Sequence, residues 1–150
     1  MRNLRSTAPW RLRACLAATA LLAALALPAT PPASADEAQP YAVEVGDVTA
    51  KVGEPAVLHA EVSLHDGYRV LEAYNNRVMQ LSSWDDGVTF DRKVVNAAVH
   101  GDALVFAIGL KPTKPGKHPI NGVFRFGYIT DGSTMMMISV PLIATVTGTE

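Results

Sequence analysis

Met135-Met136-Met137 is the run in this 150-residue chain whose side chains could do unusual chemistry. On a strand, Met135 and Met137 share one face while Met136 turns to the other. Two exposed thioethers suit Cu(I), a soft ion, and a histidine would complete such a set. Of His59, His65, His100 and His118, His118 is the candidate third ligand, although none stands at a recognisable metal spacing from the triplet. The same run has an apolar reading, because methionine is flexible and pads sheet edges and interfaces.

Other polar groupings carry less. His59 and Glu61 fall on one strand face and could relay a proton, but no nucleophile accompanies them. Neither a nucleophile-elbow sequence nor a Gly-rich phosphate loop is present. Asp85-Asp86-Gly87, with Asp91 close by, offers carboxylates to calcium. The stretch lacks the alternating oxygen ligands of a calcium loop, so it reads as a β-turn. No catalytic residue emerges, and the expectation is a binding protein that is not an enzyme and needs no cofactor, with copper as the alternative.

Residues 1–35 read as an address. Arg2, Arg5, Arg11 and Arg13 precede the uncharged apolar run Ala14 to Leu27, and Ala33-Ser34-Ala35 supplies a small-x-small cleavage site before Asp36-Glu37. That is the layout of a signal peptide, and the run is shorter than the roughly 20 residues that span a bilayer. The expected product is periplasmic or secreted, with no membrane span after cleavage. It has 115 of the 150 residues, and nine Lys and Arg (13 less the four in the leader) against 14 Asp and Glu. Such an acidic balance disfavours nucleic acid as a partner. The sole cysteine, Cys15, lies in the leader, so the mature chain has no thiol nucleophile, no thiolate ligand and no disulfide.

Residues 36–150 must therefore be positioned by a core alone. Ala56 to Leu64 alternates, with Leu58, Ala60, Val62 and Leu64 on one face. Leu104, Phe106, Ile108 and Leu110 do the same further on, as do Ile120, Phe124, Phe126 and Tyr128 and then Met136, Ile138, Val140, Leu142, Ala144 and Val146. The last two runs flank Asp131-Gly132-Ser133 and predict a long antiparallel hairpin. Gly46 breaks the first strand-like run, Tyr41 to Val52, as a bulge or a bend between sheets would. Tyr68 to Asn76 is ambiguous between strand and helical turn. Val78 to Trp84, Val88 to Phe90 and Val94 to Val99 are further strands, and the proline-rich Lys111 to Pro119 reads as a loop. Turn signals every 8 to 12 residues or so, without a sustained helical period, predict an immunoglobulin-like antiparallel β-sandwich of seven to eight strands. A small closed barrel is the alternative.

Several segments resemble the N-terminal, immunoglobulin-like domain of the thiol:disulfide interchange protein DsbD. They are the Gly-Tyr-Arg step within Val62 to Leu71, the Pro-Gly-Lys-His-Pro stretch at Pro115 to Pro119, and Gly-x-Phe-Arg-Phe at Gly122 to Phe126. An aromatic residue, a short loop and a last strand ending in Val-Pro-Leu follow. The resemblance implies an exported or membrane protein partner, a thiol-disulfide system component among the candidates. It also implies a functional loop between the last two strands, at Ile129, Thr130, Asp131, Gly132, Ser133 and Thr134. That family keeps a Cys-x4-Cys pair there, and the matching positions fall near Ile129 and Thr134. Neither is cysteine, and electron transfer through a dithiol needs two sulfurs. The expectation is a family scaffold without the family's chemistry.

Overall fold

The computed structural model describes residues 39–150; the expected signal peptide and Cys15 lie outside them. The first strand-like run is broken at Gly46, as expected, because the chain changes sheets there. β1 (Tyr41–Val45) pairs with β3 (Ala56–Leu64), whereas β2 (Val48–Lys51) joins the opposite sheet. The crossing is pinned at both ends: the Gly46 N–H donates to the His59 carbonyl, and the Asp47 carboxylate accepts the Thr145 N–H.

The remaining strands are β4 (Tyr68–Val70), β5 (Arg77–Ser83), β6 (Val88–Phe90), β7 (Val95–Asn96), β8 (Ala98–His100), β9 (Ala103–Pro112), β10 (Gly116–Thr130) and β11 (Met135–Thr149). One sheet runs β1-β3-β9-β6, with β8 also on β9; the other runs β2-β11-β10-β5-β7, with β4 also on β10. All pairings are antiparallel except β2 with β11. In the immunoglobulin arrangement, β1, β3, β9 and β6 hold the A, B, E and D places, and β5, β10 and β11 hold C, F and G. The expected sandwich is therefore the observed architecture, with eleven strands among the described residues where the sequence predicts seven to eight, and one parallel pairing among the antiparallel ones.

Alternation explains the core. Leu58, Val62, Leu104, Phe106, Ile108, Leu110, Ile120, Phe124, Phe126, Leu142 and Val146 are all fully buried. Phe106 and Phe124 meet with ring centroids 5.0 Å apart, and Tyr41 closes one end edge-on against Phe126 at 5.3 Å. These faces join because burying apolar area is the main favourable contribution in a chain without cross-links.

Two stretches depart from the sequence reading. The expected loop at Lys111 to Pro119 shrinks to three residues, 113–115, since β9 extends to Pro112 and β10 starts at Gly116. Pro119 is tolerated inside β10 because its missing N–H faces the side where β5 has already ended at Ser83. The ambiguous stretch after Gly67 is one interrupted strand. β4 and β5 both pair with β10, on either side of an excursion at Leu71–Asn76.

Asn76 closes that gap. Its side chain is buried, with Oδ1 accepting the Gly127 N–H at 2.9 Å and Nδ2 donating to the Leu71 carbonyl at 3.1 Å. Asn76→Ala strands a buried N–H and is expected to lower stability by about 1–3 kcal/mol. Asn76→Asp should recover only the acceptor. Urea unfolding of the two variants measures this, and an unchanged midpoint for Asn76→Ala would show that water replaces the amide.

Candidate binding surface on the last hairpin

β10 and β11 form a ladder from Gly116↔Gly148 to Ile129↔Met135, far longer than any other pairing in the fold. It ends in a compact turn, with the Ser133 N–H donating to the Thr130 carbonyl at 2.8 Å and the Thr130 N–H to the Thr134 carbonyl at 3.0 Å. Ser133 takes a left-handed conformation, φ 61°, which lets a short polar turn rejoin the ladder. Asp131 packs beside Gly67, so the turn after β3 flanks the tip.

The expected loop Ile129–Thr134 is thus corrected at one end. Ile129 and Thr130 are half-buried residues of β10, paired with Arg69 and Tyr68 of β4, and only Asp131, Gly132, Ser133 and Thr134 form the exposed tip. Strand pairing on both sides of Ile129 draws it out of the loop.

The triplet next to the tip is exposed throughout: 63% for Met135, 42% for Met136 and 64% for Met137. Met136 is on the core side, as alternation requires, but lies past the point where the opposite sheet covers β11. The candidate copper set is not assembled. His118 pairs with Val146 at the other end of the hairpin from Ile129↔Met135, a span of about 35 Å at the usual rise per residue. It is also engaged there, with Nδ1 2.7 Å from the Asp85 carboxylate and Nε2 2.8 Å from the Lys114 carbonyl.

That engagement resolves another expectation. Asp85 accepts from the Ser83 hydroxyl and the Gly87 N–H, so Asp85-Asp86-Gly87 is a turn held by its own carboxylate. The hydrogen bond with His118 holds the Asp85 carboxyl down at about 2, and the same bond raises His118 above its ordinary value. Gly87 packs against the His118 ring so closely that a Cβ there would collide with it. His59 and Glu61 lie exposed on β3, as expected.

The outer face of β11 carries a signal that a reading of its core-facing positions passes over. Met135, Met137, Pro141 and Ile143 occupy the odd positions, which on a solvated strand should be polar. Ile143 is 70% exposed. Val123 and Asn121 sit beside Pro141 and Ile143 on β10, and the indole N–H of Trp84, 82% exposed, lies against the Asn121 amide, whose oxygen accepts it once that amide is turned to satisfy both its groups. Contiguous exposed apolar side chains of this kind mark interaction surfaces. Of the described aromatic residues, Trp84 alone stands free; Tyr128 is buried and meets Tyr68 edge-on at 5.7 Å.

The strand edge is open as well. Pairing with β10 uses the backbone groups of even residues of β11, so those of odd residues face away. Asp47 caps the Thr145 N–H, β2 covers Val146 to Thr149, and the Thr149 carbonyl accepts from Val52. From Met135 to Ile143, no described strand pairs with that side.

No family model matches the chain, and no curated protein matches it. Among solved structures, a chain of the Coh-OlpA–Doc918 complex, a type I cohesin–dockerin complex from Clostridium thermocellum, superposes with a TM-score of 0.40 at 13% identity. The match covers 73% of this chain and 99% of that one. The PapD-like domain 7 of human CEP192 gives 0.38 at 14%, covering 88% and 98%. BcpA*(D312A), the major pilin subunit of Bacillus cereus, gives 0.36 at 8%, covering 73% of this chain and 40% of the pilin chain.

Proposed function

We propose that this protein is exported to the periplasm or beyond and works as a non-catalytic recognition domain, a thiol-free relative of the N-terminal domain of DsbD. The observation that carries the reading is the last hairpin, which ends in an exposed tip at Asp131–Thr134 and continues into three exposed methionines. In the family it resembles, the reactive dithiol sits at that place. Here the place is filled by hydroxyl, carboxylate and thioether groups, which can hold a protein surface but cannot exchange a disulfide. The partner is an exported or membrane protein, and a member of a thiol-disulfide system fits the resemblance best.

Replacing residues 131–134 with a Gly/Ser turn is expected to abolish recovery of the partner after cross-linking in the cell envelope, with the fold retained. Recovery equal to that of the unaltered protein would overturn the tip as the contact. Reduction of a disulfide by the purified protein alone would overturn the non-catalytic reading.

A further inference from the structure

The open part of β11 has a defined length, and its chemistry specifies what can lie on it. The N–H and C=O groups of Met135, Met137 and Ser139 face outward with no strand partner among the described residues; Pro141 contributes a carbonyl but no N–H, and Asp47 closes the edge at Thr145. Apart from water, what satisfies a row of alternating donors and acceptors of this kind is another extended strand. Exposed edges are ordinarily protected by charge, by proline or by cover. Pro141 protects the middle of this one, but Met135 to Ile143 (MMMISVPLI) contains no charged residue.

We propose that two copies of this chain pair edge to edge through Met135–Ser139, antiparallel about a twofold axis at Met137. The free groups are symmetric about that residue, so the segment is complementary to itself. Met135 faces Ser139 of the second copy, Met137 faces Met137, and Ser139 faces Met135, each pair exchanging two backbone hydrogen bonds. An axis at Ser139 would instead set Pro141 against Met137 of the second copy and leave that carbonyl without a donor. With the axis at Met137, Pro141 meets Ser133 in the tip turn, where the ladder has already ended. The uncharged segment brings no like-charge repulsion to the seam, and the outward thioethers of Met135 and Met137 from both copies cover one another. Closed twofold pairing also removes the open edge instead of propagating it.

The sequence makes the test clean, because a Cys15→Ser background leaves an introduced cysteine as the sole thiol whether or not the leader is removed. In the protein purified after export, Met137→Cys should cross-link to a covalent dimer under mild oxidation. Across the axis the two Cα atoms would stand about 5.5 Å apart, inside the disulfide range. Met135→Cys should cross-link at least about tenfold less, since its two copies would lie about 14 Å apart, four residues along the strand and one strand spacing across. Sedimentation should give twice the chain mass at high micromolar concentration. Met137→Lys, at a position 64% exposed and therefore harmless to folding, should return it to the monomer. A monomer at every concentration overturns the proposal, whether another chain or this chain's own N-terminal residues cover the edge. Equal cross-linking from Met135→Cys and Met137→Cys would overturn the register. Replacing the tip leaves Met135–Ser139 in place, so loss of the partner and loss of the dimer are separate readouts.

Discussion

Phe124→Ala is expected to remove about 3–5 kcal/mol of folding stability. Phe124 is fully buried on β10, flanked in its own sheet by Val78 and Val140 and meeting Phe106 from the opposite sheet at 5.0 Å. A cavity at that point cannot collapse readily, since ladders on both sides hold the strands at fixed spacing. Nor do the described residues contain a cysteine to cross-link the fold. Against the 5–15 kcal/mol or so of an ordinary domain, the loss is a large share of the total. Urea unfolding should show a lower midpoint with an unchanged slope, because the surface exposed on unfolding stays nearly the same. Ile143→Ala, at an exposed position on the same hairpin, should stay within about 0.5 kcal/mol. A loss below about 1 kcal/mol for Phe124→Ala would show that the two sheets are not joined through this contact.

The same residues show what could be read from the chain in advance. Leu104, Phe106, Ile108 and Leu110 alternate without interruption, and all four are fully buried. Period-two patterning is a local property, so the strands and their inward faces were legible. Register was not. The β5–β10 pairing slips between Asn121 and Val123, where Gln80 is left-handed at φ 57° and Gly122 lies under Leu81. Nothing in the local sequence distinguishes that bulge from a turn. Prolines misled for a related reason: Pro112 and Pro119 suggested a long loop, yet each is harmless when its missing donor faces away from a neighbouring strand.

The candidate surface was legible in part. Asp131-Gly132-Ser133 located the tip, and the methionine triplet located the exposed stretch beside it. The odd positions of β11 are harder to see, because the even positions alone satisfy a strand pattern and Pro141 and Ile143 fall between them. A strand that is apolar on both faces but covered on one announces an unfilled surface. The contact of His118 with Asp85 joins residues 33 positions apart, so it follows from the fold and from no local motif.

That contact carries the last expected result: raising the pH above about 6.5 should weaken the fold, and His118→Gln should remove the sensitivity. Both ring nitrogens of His118 face acceptors, the Asp85 carboxylate at 2.7 Å and the Lys114 carbonyl at 2.8 Å. Only the imidazolium donates from both. The hydrogen bond to Asp85 is the main reason its pKa is raised above 6.5. As the pH rises past 6.5, the unfolded chain loses this proton while the folded one keeps it. Stability then falls by up to about 1.4 kcal/mol per pH unit until the folded His118 also titrates. Below 6.5 its contribution is fully present. Asp85 acts at the other end: held down at about 2 from 3.8, it contributes above 3.8 and is lost as the pH falls toward 2. The groups around the pair are Lys114, whose ammonium donates to the Asp85 carbonyl, and the Gly87 N–H and Ser83 hydroxyl on the carboxylate. Urea midpoints taken between about pH 5 and 9 should decline on the alkaline side for the unaltered protein. They should be lower at neutral pH but level above 6.5 for His118→Gln, which donates at one end only. Parallel curves for the two proteins would mean that the folded ring is neutral and that the Lys114 carbonyl or the Asp85 carboxylate takes its hydrogen bond from elsewhere.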